Sequence, residues 1–129
     1  MAAAVLGVVQ EHAGDYKAAI DSLTEALRLS RDLGDRHGQA ARSVNLGKLM
    51  SQSSAYSDAH DYFARALTIA REIKAPVLEA RALEAIGHNY LLEGNLNQGT
   101  EYLRQALTIY YRIGAPEVKR VEEALAKQP

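Results

Sequence analysis

The sequence has no cysteine and no tryptophan, only one phenylalanine and three prolines, and no clustered charge of either sign. Each scarcity removes a class of explanation. Without Cys there is no disulfide framework, no thiol nucleophile and no Cys-ligated zinc, which suits a reducing compartment. The apolar opening, MAAAVLGVV, lacks a basic leader and stops far short of the roughly 20 residues that a membrane span requires. Fifteen Lys and Arg are balanced by sixteen Asp and Glu, and the basic residues form no run. A nucleic-acid backbone therefore meets no concentrated positive surface. We expect a soluble, cytoplasmic chain that binds neither membrane nor nucleic acid directly. What is plentiful is Ala and Leu. Both keep most of their side-chain freedom in a helix, so the composition predicts an all-α protein.

The chain repeats every 40 residues. Gly7, Gly47 and Gly87 are in register, each after an aliphatic residue (Leu6, Leu46, Ile86). Ala19, Ala59 and Gly99 follow, then Leu23, Phe63 and Leu103, then Ala26-Leu27, Ala66-Leu67 and Ala106-Leu107. Leu29, Ile69 and Ile109 continue the series. Each unit divides into two helices whose apolar residues recur at three- and four-residue steps. The breaks carry their own signals. Gly14-Asp15 and Gly94-Asn95 suit a left-handed helix end followed by an N-cap, and Gly34 and Gly114 end second helices in the same way. Pro76 and Pro116 stand just beyond, where a first turn tolerates the missing N–H. Unit two has Ser54-Ala55 and Lys74 instead, which predicts less well specified turns. The expected helices are 2–13, 16–33, 37–52, 56–73, 77–92, 96–113 and 116–126.

The order aliphatic-Gly, Ala, large apolar residue, Ala resembles the tetratricopeptide repeat, normally about 34 residues long. Its Leu-Gly pair falls on Leu46-Gly47, its small residue on Ala59, its aromatic on Phe63 and its later Ala on Ala66. The early Trp of the motif is missing, with Ala3, Ser43 and Leu83 in its place. The 40-residue unit looks like the longer-helix subgroup that includes kinesin light chains, spindle-orientation scaffolds and bacterial regulators. The ending ALTIYYRIGAPEVKRVEEALAKQ looks most like the close of a repeat array in actinobacterial regulators of the SARP type. The resemblance implies a right-handed superhelical solenoid of three helix pairs, with units at about 1–36, 37–76 and 77–115.

The last segment, 116–126, has Val118, Val121 and Leu125 on one side, as a capping helix needs. The start of the chain lacks a polar N-cap. A single domain over 1–129, cut from a longer array, is the expectation, and the open first pair could associate with another copy.

No catalytic set emerges. His12, His37, His60 and His88 are scattered, without a companion at metal-ligand spacing, and the motifs GxSxG, GxxxxGK[ST] and HExxH are absent. Neither an enzyme nor a metal or cofactor site is expected. Function is sought instead in the concave groove of the solenoid. The family resemblance carries ligand-facing positions onto Arg42, Asn45, Lys48 and Gln52 of unit two, and unit three adds a mixed surface of Arg81, Glu84 and His88. Unit one presents Val5, Val8, Glu11 and His12 there. A planar guanidinium, an amide and an ammonium on one helix face suit an extended peptide bearing carboxylates. Three readings stay open: a module binding a peptide or partner helix, as the sensor or scaffold part of a larger regulator; a self-association module; and, least supported, an enzyme or DNA-binding domain.

Overall fold

The computed structural model describes the backbone of residues 2–129, and side chains from residue 14 onward. Six helices follow one another: α1 (Ala2–Asp32), α2 (Arg36–Gln52), α3 (Tyr56–Glu72), α4 (Pro76–Leu92), α5 (Leu96–Ile113) and α6 (Val118–Ala126). Among the described residues there is no strand. Each helix packs on the next, and α2 also reaches α4, which is the sequential packing of a tetratricopeptide-type solenoid. No described helix is long and apolar enough to cross a membrane.

Five helices end by one device at a spacing of 20 residues. Gly34, Ser54, Lys74, Gly94 and Gly114 all take a positive φ, at 70°, 67°, 56°, 87° and 64°. The amide of the next residue then donates to the carbonyl five positions back: Asp35 to Ser30 at 2.8 Å, Ala55 to Met50 at 2.8 Å, and Ala75 to Ala70 at 2.9 Å. Asn95 to Tyr90 and Ala115 to Tyr110 complete the series, both at 2.9 Å. This bond and the left-handed residue before it satisfy carbonyls that a helix end otherwise leaves bare. The turns at Ser54 and Lys74 therefore have the same geometry as the glycine turns. Their weaker specification is energetic, since a residue with a Cβ costs roughly 1–2 kcal/mol in this conformation.

The helix starts are less uniform. Asp35 accepts from the Gly38 amide at 2.8 Å, and Asn95 from the Gln98 amide at 3.3 Å. Ala55 and Ala75 offer no side-chain cap, but Pro76 fills the first position of α4. Pro116 instead precedes the last helix, which begins at Val118 rather than at 116.

One expected break is absent. The sequence places a turn at Gly14-Asp15, yet α1 runs through it as a single helix. Glycine inside a helix costs only about 1 kcal/mol relative to Ala, and each further residue in the helix adds a backbone hydrogen bond. Chain reversal needs tertiary packing to repay it, so Gly14 alone does not impose one.

Two hairpins, α2–α3 and α4–α5, form the body of the molecule. Phe63, Ala66, Ala70, Val44, Leu78 and Ile86 make one apolar cluster; Leu83, Leu103, Ala106, Tyr110 and Val121 make the next. The repeat glycines sit where helices touch. A Cβ on Gly47 would lie 2.4 Å from the Phe63 ring, and one on Gly87 would lie 3.0 Å from the Gly99 carbonyl oxygen. The second contact is with backbone that cannot swing aside, so a larger residue at Gly87 costs about 1–3 kcal/mol. Val121, fully buried, anchors α6 over the last hairpin. Val118 and Leu125 pack against the same cluster, as the capping role requires.

Candidate peptide-binding groove

The three- and four-residue steps on α2 and α4 present Asn45, Lys48 and Gln52 alongside Arg81, Glu84 and His88. Three adjoining depressions run between them. Asn45, Lys48 and Arg81 line one of ≈140 Å³. Lys48, Arg81, Glu84 and His88 line the next, of ≈450 Å³, closed at the far side by Glu117 and Arg120. Lys48, Gln52 and His88 line the third, of ≈190 Å³, over the edge of Phe63 and Leu92. Lys48 is common to all three. Six of the seven residues named from the sequence thus border one continuous strip.

Arg42 is the exception. It lines none of these depressions, and its Nη1 donates to the Gly38 carbonyl at 3.3 Å within its own helix. Its unit-three counterpart, Ala82, is fully buried, and so almost is Ala85, the counterpart of Asn45. The Arg-Asn pattern of α2 is therefore not merely changed in α4: those positions have been taken over by packing. Val5, Val8, Glu11 and His12 lie outside the described side chains.

Glu84 borders the strip but is not free to meet a ligand. It is buried, at 8% exposure, and accepts from the Tyr110 hydroxyl at 2.9 Å and from Arg120 at 2.8 and 3.0 Å in a two-pronged pair. The His88 Nε2 stands 3.7 Å away. Burial by itself would raise the Glu84 carboxyl above its ordinary range. The donors facing it, His88, Arg120 and Tyr110, together with the Arg120 charge, outweigh burial and bring it down to about 2. Burial and the adjoining Glu84 charge push the Tyr110 hydroxyl upward. Glu84 is thus a fixed anion that ties α6 to α4.

With Glu84 matched by Arg120, Lys48 and Arg81 remain exposed and form no ion pair among the described residues. The strip keeps positive charge in its middle. It can accept carboxylates at Lys48 and Arg81 and hydrogen-bond a main chain through Asn45 and Gln52.

Arg120 and Glu117 were not expected in the groove. The inward Val118–Val121–Leu125 spacing placed α6 as a cap, but nothing in the sequence pairs residue 120 with residue 84. A second buried bridge also escaped the sequence reading. The Ser51 hydroxyl donates to Asn89 Oδ1 at 2.9 Å, and Asn89 Nδ2 donates to the Tyr56 carbonyl at 3.0 Å. It joins the end of α2 to α4 and to the start of α3, holding the two walls of the strip at fixed separation. His60 is a packing residue: it meets the Tyr90 ring edge-on at 5.4 Å, and Tyr90 stacks on Tyr102. Of the pair Tyr110-Tyr111, the first is buried and the second 57% exposed.

Residues 1–72 match the tetratricopeptide repeat family, and residues 80–113 match a second description of the same repeat. The first match alone spans more than half of the 129 residues. With the helical hairpins, the 20-residue turn series and the sequential packing, this establishes that the chain belongs to the tetratricopeptide repeat family, whose repeats generally mediate protein–protein interaction.

Proposed function

We propose that the chain binds an acidic, extended segment of a partner protein along the α2–α4 strip, as the sensor or scaffold part of a larger regulator. The observation that carries this reading is the position of Lys48, shared by three adjoining depressions and accompanied by Arg81, which has no ion pair among the described residues. A carboxylate-bearing segment would meet Lys48 and Arg81, while Asn45 and Gln52 hold its main chain. The internal match of Glu84 with Arg120 supports the same sign of ligand, because it cancels one of the two carboxylates, Glu84 and Glu117, that border the depressions. Exchanging both Lys48 and Arg81 for Glu should weaken binding of an acidic partner segment at least tenfold in a pull-down or fluorescence titration, with the helical circular dichroism unchanged. Equal binding by the double variant would place the partner elsewhere.

Self-association is the second reading, and the exposure of Leu29 (47%) on α1 and of Leu33 (82%) in the turn after it favours it. It predicts a mass that rises with concentration in sedimentation, and that Leu29→Glu holds at the monomer value.

A further inference from the structure

On the other side of α2 lies a larger cleft, of ≈550 Å³, where α1, α2 and α3 meet. Its origin is legible in the repeat. Leu27, Ser43 and Ile69 border it. Forty residues on, Leu67, Leu83 and Ile109 pack into one apolar cluster, with Leu83 1% exposed. Ser43, itself 2% exposed, stands where the next unit has that leucine, so a smaller side chain borders the cleft here than the one that packs at the same place between the second and third units. The neighbouring wall is also cut back: Ala64 lines the cleft where the next repeat has Arg104. Helical spacing sets Gln39 and Ser43 roughly 170° around α2 from the mean direction of Asn45 and Lys48. The cleft is therefore separate from the strip.

Its chemistry is asymmetric. The floor is apolar, from Leu27 and Ile69, while the Gln39 amide and the Ser43 hydroxyl stand in the wall. Arg31, Arg36 and Arg65 occupy the rim against a single carboxylate, Glu72, which pairs with Arg36. Arg65 stacks over the Tyr62 ring at 5.3 Å, and neither it nor Arg31 has an ion-pair partner among the described residues. A volume of this size is within the range of ligand pockets, but the cleft is open rather than enclosing. Small ligands depend on being buried over most of their surface, whereas one side chain anchored from a larger partner does not.

We infer that this cleft is a second docking site, and that it takes a protein segment presenting a large apolar side chain flanked by carboxylates. The apolar side chain enters between Leu27 and Ile69, and the flanking acids meet Arg31 and Arg65. A partner held here and a segment in the α2–α4 strip would occupy opposite sides of one helix.

The test is an NMR titration of the full chain with the capped peptide acetyl-Asp-Leu-Phe-Glu-amide, and with acetyl-Lys-Leu-Phe-Lys-amide as its charge-reversed control. The expected result is saturable shifts at Gln39, Ser43, Thr68 and Ile69, with the lysine peptide at least tenfold weaker. Ser43→Leu, which installs the residue of the next repeat, should weaken the acidic peptide at least tenfold. Ala64→Glu, at an exposed helix position, should do the same and keeps the test decisive if the leucine disturbs folding. Lys48→Glu should leave these shifts unchanged, so failure of the strip as a binding site would not be mistaken for failure of the cleft. Shifts confined to the Lys48–Arg81 strip, no saturable shifts, or undiminished binding by folded Ser43→Leu or Ala64→Glu would overturn the proposal. Saturation by 4-phenylbutyrate but not by the peptide would assign the cleft to a small carboxylate and overturn it equally.

Discussion

A carboxylate on the wall of a basic groove would ordinarily repel the acids that the groove attracts. Glu84 does not, because Arg120 and Tyr110 consume its charge and its lone pairs. The arrangement has a pH signature. Its carboxyl sits at about 2 in the fold against an ordinary 4.5. The contribution is therefore fully present above the ordinary value and disappears as the pH falls from there toward 2. Arg120 is 60% exposed, so screening reduces the contribution to about 1–2 kcal/mol. Urea midpoints measured at pH 6 and pH 3 should show this loss in the native chain, and Glu84→Gln should lose correspondingly less between the two. A variant with the same acid sensitivity as the native protein would assign that sensitivity to other groups. In the sequence, Glu84 is an acidic residue on a helix face, indistinguishable from a solvated one. Only the return of α6 makes it part of the interior.

At the scale of the elements, turn chemistry was readable and turn occurrence was not always so. The glycines at 34, 94 and 114 stand where the chain takes a positive φ, and the series continues without interruption through Ser54 and Lys74. Replacing Lys74 by Gly should therefore stabilise the fold by about 1 kcal/mol, read as a raised denaturation midpoint, because it removes a Cβ from a left-handed residue. Gly14 belongs to the same 20-residue series by position but lies inside α1. Gly14→Ala should stabilise by about 0.5–1 kcal/mol as a mid-helix glycine would, whereas Gly34→Ala should destabilise. Destabilisation by Gly14→Ala would mean that the chain turns there after all. A glycine marks where a turn is cheap. Whether the chain takes it depends on what the reversed segment can pack against.

For the molecule as a whole, the solenoid makes stability a matter of neighbours. α6 covers Tyr110 and Ile109 and supplies the partner of Glu84, so a chain ending at residue 115 loses all three supports at one end. Hydrogen exchange on that shortened chain should show protection falling in α5 and the second half of α4. The α2–α3 hairpin, which has its own cluster around Phe63, should keep most of its protection. Uniform loss across all the helices would indicate one cooperative unit rather than a stack. The same neighbour logic applies to the cleft at Ser43, which a small residue borders at the position that the next unit fills with Leu83.

The sequence by itself determined the helical class, the repeat, the family, most helix limits and the closeness of the Gly47 and Gly87 contacts. These follow from local periodicity, from turn residues and from side-chain size, all of which act over a few residues or repeat in register. Six of the seven residues named from it also border one strip, because spacing along a helix fixes which positions share a face. The tertiary structure decided what those residues are free to do. It buried Ala82 and Ala85, turned Arg42 back onto its own helix, matched Glu84 with an arginine 36 residues away and left the space beside Ser43 unfilled. Each of these depends on which helix lies against which. No local pattern encodes the distance between residues brought together by packing.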